Sequence, residues 1–178
     1  MATSTAHLTV TEMETSPEKW ERFELYRGIP IEMTYTKPLH AKILSILTYF
    51  LVDWLRNQGG KGEVYGGEAG VRLSEDIRYC FDLAWSKGPL IENEIPKKSL
   101  DLMIEIISEG NDMDLMMQKV DDYLHYGATQ VWLVFPSRKC IQIFYTDKTS
   151  RTFTQEETIS GGDFMKGLEL SIKELFPV

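Results

Sequence analysis

Two short, almost uniformly apolar runs separated by one amphipathic helix constrain this chain more than any other feature. The runs are "LMIEII" at 102–107 and "VWLVF" at 131–135. Between them Met113, Met116, Val120, Tyr123 and Leu124 recur at helical spacing, with Asn111 or Asp112 as the cap and Gly127 as the stop. This strand–helix–strand unit, Leu100 to Phe135, predicts two parallel neighbours joined by a right-handed crossover. Strands so evenly apolar need cover on both faces. The expected class is therefore α/β, a central sheet flanked by helices.

The rest of the chain fits around that unit. Residues 1–16 are Thr-rich and predicted to be flexible, and residues 17–178 are read as a single domain. "FELYRGIPIEM" predicts an N-terminal β-hairpin turning at Arg27-Gly28 and ending near Met33. "TKPLHAKILSILTYFLVDWLRNQGG" predicts a helix capped by Thr36, with Pro38 in its first turn and Gly59-Gly60 at its end. "GEVYGGEAGVRLSED" predicts two short strands separated by glycines, and "IRYCFDLAWSK" a stronger one. "KGPLIENEIPKK" is a loop. "CIQIFYTD", a stretch near Arg151 to Gln155, and a strand or helical turn in the tail complete the order.

Composition excludes several functions. With 178 residues, 43% of them hydrophobic, the chain can bury a substantial core. A net charge of −8 argues against a nonspecific nucleic-acid coat, though not against a local phosphate site. Cys80 and Cys140 have no zinc-like spacing and read as free thiols in a reducing cytoplasm. No signal peptide and no membrane-spanning run is visible.

The anomaly lies in the carboxylates. Asp82 interrupts "YCFDLAW" and Glu105 interrupts "LMIEII". Burying a lone ionised carboxylate is costly, so each needs a partner, a metal or a shifted pKa. Asp82 reads either as a strand-end residue satisfied by backbone amides or Arg78, or as a ligand. Glu105 reads either as half of a buried ion pair or as a ligand. Two such acids together suit a shared hard cation such as Mg²⁺, with the Ile106 carbonyl as a further oxygen. Lys119 falls on the shoulder of the helix's apolar stripe. It could reach the carboxylates, or snorkel to the surface and pair with Asp112 or Asp122. His40, early in the first long helix, and Glu32, ending the second hairpin strand, are the remaining candidates; the alternative for His40 is a capping or surface residue, and for Glu32 solvent exposure at a strand end. The Met113, Met116, Met117 cluster reads as core filling.

In this order, "FELYRGIPIEM", "PLHAKILSILTYFL", "GVRLSEDIRYCFDLAW", "LDLMIEIISEGNDMDLMMQKVDDYLHYGATQVWLVFP" and "GLELSIKELF" resemble the putative restriction endonuclease family abundant in cyanobacteria, formerly a domain of unknown function, within the PD-(D/E)XK nuclease superfamily. The resemblance implies a restriction-endonuclease-like mixed sheet with a metal-dependent DNA phosphodiesterase site. Asp82 takes the place of the first acid and Glu105 the second. Ile107 stands where a lysine is usual, and the amine is supplied by Lys119. The resemblance thus implies Asp82, Glu105 and Ile106 as ligands of Mg²⁺ or Mn²⁺, Lys119 as the catalytic amine, and Glu32 and His40 bordering the site. DNA or another nucleic acid is the implied partner, and a homodimer is compatible. Phe81 and Glu109 replace family prolines, and Glu109 adds negative charge near the site. That charge keeps open a second reading, a nuclease-fold binding or assembly module that does not cut.

Overall fold

The computed structural model describes residues 7–176, the side chain of residue 68 excepted. Strands β1 (Phe23–Tyr26) and β2 (Ile29–Glu32) form the expected hairpin. Its two turn residues, Arg27 and Gly28, have φ of 48° and 79°. Positive φ at both positions is what a two-residue type I′ turn requires.

The segment expected to be loose contains one short helix, α1 (Val10–Glu14), and a second, α2 (Pro17–Trp20), follows just beyond it. Thr9 and Glu12 cap α1 reciprocally, and Val10 and Met13 pack on Leu25. Burial of those two apolar side chains orders a stretch whose composition suggests otherwise; residues 1–6 of the same expectation lie outside the described residues.

Helix α3 (Pro38–Asn57) starts as predicted, but its cap position is Lys37, not Thr36. The residue before a proline is held extended, and Lys37 has φ −80° and ψ 154°. The expected pair of short strands is one long strand, β3 (Glu63–Arg72), whose register shifts between Gly66 and Ala69. The glycines make a bulge rather than a break.

The remaining elements are β4 (Arg78–Ser86), β5 (Leu102–Ile106), α4 (Met113–His125), β6 (Gln130–Phe135), β7 (Cys140–Tyr145), β8 (Ser150–Phe153), β9 (Thr158–Ser160), β10 (Glu169–Ser171) and α5 (Ile172–Leu175). Asp112 caps α4, accepting from the amides of Asp114 and Leu115 at 2.9 and 3.2 Å. β9 has no counterpart in the sequence reading; it pairs only with β10, in a small two-stranded ribbon.

The main sheet runs β2-β1-β4-β5-β6-β7-β8, with β3 also on β4. It is mixed: β5 and β6 are parallel and joined by α4, and the other pairs are antiparallel. One face carries α3, α5 and the ribbon over Leu102, Ile104, Ile106 and Trp132. The other carries α4 over Met103, Val131 and Leu133. Alternation along β5 therefore sends Glu105 to the α4 face, with Met103. Among the described residues no helix is long and apolar enough to cross a membrane.

Strand β4 has an unusual edge. β3 lies along one side of it for nearly its whole length. Both β1 and β5 must then share the other side. β5 pairs with Leu83, Ala84 and Trp85, and β1 pairs only at Arg78. The ladder is open from Tyr79 to Asp82, and that opening positions the site.

Candidate active site

Main-chain groups facing an opened ladder need other partners. Here side chains supply them. Asp82 Oδ2 accepts the Ile106 amide at 2.7 Å, where β5 leaves β4. On the β1 side, Glu24 Oε1 accepts the Cys80 amide at 2.7 Å. The Cys80 carbonyl accepts from Lys119 Nζ at 2.7 Å. Charged groups are thus drawn into the sheet at the point where its ladder is missing.

Lys119 is 3% exposed and joins the carboxylates. Its ammonium lies 2.8 Å from Glu24 Oε1 and 3.0 Å from Glu105 Oε1. Tyr123, one helical turn further along α4, donates to Glu105 Oε1 at 2.8 Å, and Tyr26 donates to Glu24 Oε2 at 2.9 Å. The surface alternative for Lys119 is excluded, because its former candidates are engaged elsewhere. Asp112 caps α4, and Asp122 accepts from Tyr79 at 2.6 Å and from Arg27 at 2.9 Å. Arg78 likewise does not reach Asp82; its guanidinium donates to the carbonyls of Trp20 and Phe23, both at 2.9 Å.

His40 is buried near the start of α3, with Nε2 3.0 Å from Asp82 Oδ2. Glu32 is exposed at the rim of the same cleft, which has a volume of about 340 Å³ and also takes in Asp82, Glu105, Lys119 and Glu109. The structure thus brings Asp82, Glu105, Lys119 and His40 to one cleft, with Glu32 at its edge. Ile107 packs with the apolar α4 face.

The geometry places two strand carboxylates in one cleft at the opened edge of β4, Glu105 in contact with a buried lysine. Residues 10–173 match the Uma2 family, described as putative restriction endonuclease. The chain belongs to the Uma2 family. Its fold is similar to that of a crystallised putative nuclease of the DUF820 group from Anabaena variabilis, with a TM-score of 0.79 at 21% identity, covering 95% of this chain and 97% of that one. No curated protein matches.

Sequence reasoning misses one central member of this Uma2 cluster, Glu24. Its signal is the one that reveals Asp82 and Glu105, a carboxylate between apolar residues, here Phe23 and Leu25. In a strand of four residues next to a turn, that signal is easily read as an exposed edge.

Electrostatics sharpen the roles. Burial alone would lower Lys119, but Glu105 and Glu24 outweigh it and hold the ammonium well above the usual lysine range. Burial pushes Glu105 up to about 8; Lys119 opposes this, while Asp82 and Glu24 add to it. Burial also pushes the Cys80 thiol up to about 11, so it is no nucleophile at neutral pH.

The Glu105 shift has a measurable consequence. Between the ordinary value of 4.5 and about 8, folded Glu105 keeps a proton that the unfolded chain has released. The associated stability is complete below the lower value and is lost as pH rises to the upper one. In metal-free protein, Glu105→Gln should flatten the fall in Tm between pH 5 and pH 8. Parallel Tm–pH curves for the two proteins would show that Glu105 titrates normally.

Proposed function

We propose that this Uma2 chain is a metal-dependent endonuclease that hydrolyses DNA phosphodiester bonds. One observation carries the reading: Lys119, from the helix after β5, reaches Glu105 at 3.0 Å and so supplies the amine that Ile107 cannot.

Among the described residues no three His, Cys, Asp or Glu side chains gather as a metal cage. Mg²⁺ does not need one. It is commonly held by one or two carboxylates, with water and substrate phosphate completing its shell. Asp82, Glu105 and the Ile106 carbonyl offer that oxygen-only set. The donor chemistry therefore fits Mg²⁺ or Mn²⁺, with these three residues as its holders. A bound ion would polarise the phosphodiester and make water more acidic.

The chain's own groups divide the remaining work. Ile106 N–H and His40 both hold Asp82 by one oxygen, Oδ2. Tyr123 fixes Glu105 in the same way. Lys119, charged and nearly solvent-free, orients the attacking water or stabilises the negative charge that develops on phosphorus oxygens. His40 and Glu32 border the phosphate path. The free thiols Cys80 and Cys140 suit a reducing cytoplasm.

Supercoiled plasmid incubated with Mg²⁺ or Mn²⁺ tests this. Wild type should nick it, and Asp82→Ala should not. Equal nicking by both proteins would trace the activity to a contaminant and end the assignment. The net charge of −8, with Glu109 at the cleft mouth, favours one second reading, a nuclease-fold binding module. A thermal melt separates the two. A divalent ion that binds only the folded state raises Tm, whereas a binding module would melt unchanged in millimolar Mg²⁺, Mn²⁺ or Ca²⁺.

A further inference from the structure

Three oxygens converge on the Lys119 ammonium: the Cys80 carbonyl at 2.7 Å, Glu24 Oε1 at 2.8 Å and Glu105 Oε1 at 3.0 Å. A carbonyl and two carboxylates are the donor set of a hard divalent cation. Here a cationic nitrogen fills it. The ammonium is not a loose occupant, because α4 delivers it while Tyr123, from the same helix, and Tyr26, from β1, pin the two carboxylates.

Both oxygens of Glu24 are engaged. Oε1 takes the Cys80 amide and Lys119, and Oε2 takes the Tyr26 hydroxyl. Among the described residues, Glu105 commits only Oε1, to Lys119 and Tyr123. A cation held by Asp82 and the other Glu105 oxygen therefore meets an ammonium, not a second ion, on the Glu24 side. Two divalent ions placed against that ammonium would be repelled without intervening charge.

We infer that this cleft takes a single divalent cation, that Lys119 occupies the position a second would need, and that Glu24 is a positioning residue for Lys119 rather than a metal ligand. The inference rests on the metal-dependent reading above and goes beyond it in fixing stoichiometry and the division of labour among the three acids.

Titration of the protein with Mn²⁺, followed by loss of the free-ion electron paramagnetic resonance signal, tests it without any activity measurement. Wild type should bind about one equivalent, since its oxygen set accommodates one hard ion beside the ammonium. Glu24→Gln should also bind about one, because the amide can still accept from Lys119 and no ligand is lost. Lys119→Met should bind about two, because the vacated oxygens then suit a cation. Adding Glu24→Gln to Lys119→Met should remove the second equivalent again.

Two equivalents on wild type would overturn the inference and leave the metal-dependent reading standing. None would overturn both. A folded Lys119→Met protein that still binds one would also overturn it. Should that variant fail to fold, Glu24→Gln decides: loss of its Mn²⁺ would make Glu24 a ligand.

Discussion

Lys119→Met should destabilise the metal-free protein by about 3–5 kcal/mol, the usual result of breaking a buried ion cluster from one side. The size follows from what is left behind. Glu24 and Glu105 are 9% and 5% exposed, and both lose their cation together. The Cys80 carbonyl loses its side-chain donor as well. Methionine matches the lysine stem in length and packs well against the α4 face, so the loss is electrostatic rather than steric. Urea denaturation at pH 9, above the Glu105 value of about 8, gives the value, and an unchanged slope would show that the folded state is otherwise intact. A loss below about 1 kcal/mol would mean the ammonium is no better placed than a surface ion pair. Lowering the pH below about 8 should narrow the difference, because protonated Glu105 no longer needs a counter-charge.

Trp54→Ala should produce a loss of similar size, about 3–5 kcal/mol, by a different route. Trp54 is 2% exposed in α3 and stacks edge-on against Trp85 of β4, with ring centres 5.4 Å apart. Its indole N–H donates to the Lys166 carbonyl at 3.0 Å, tying the helix to the segment before β10. Alanine would open a cavity between α3 and the sheet and leave that carbonyl without its donor. In a chain of this length the loss should lower Tm by roughly 10 °C or more. Trp54→Phe should recover most of the packing but not the hydrogen bond. The cavity lies on the face opposite Lys119, so a variant that still folds should retain the Mn²⁺ stoichiometry of wild type. Loss of that stoichiometry would show that the two faces are coupled through β4.

Much of this arrangement is legible in the sequence because it rests on local signals. The parallel β5–α4–β6 unit follows from two apolar runs and one capped, striped helix. Asp82 and Glu105 are conspicuous because each sits among residues that cannot stabilise a charge. Less is legible where pairing decides. That β3 is one bulged strand depends on its long neighbour β4, which bridges the glycines. That α1 is ordered depends on Leu25, a residue well beyond it in sequence. Lys119 is ambiguous on its own helix, since a shoulder position serves a snorkelling lysine as well as a buried one. Its partner Glu24 lies on β1, and no spacing rule links the two. Glu32 and Glu24 belong to the same hairpin, and only the pleat decides which of them turns toward α4.

The open stretch of β4 also ties the charge of the site to the dynamics of its backbone. In an ordinary sheet the amides of Cys80 and Ile106 would be held by other strands, indifferent to pH or ions. Here each is held by a carboxylate, Glu24 for one and Asp82 for the other. Re-engaging either acid with a bound ion changes how firmly a peptide N–H is protected from solvent hydrogen. Hydrogen-exchange rates at these two amides therefore read the electrostatic state of the cleft directly, and the strands flanking it loosen or tighten with whatever charge the cleft contains.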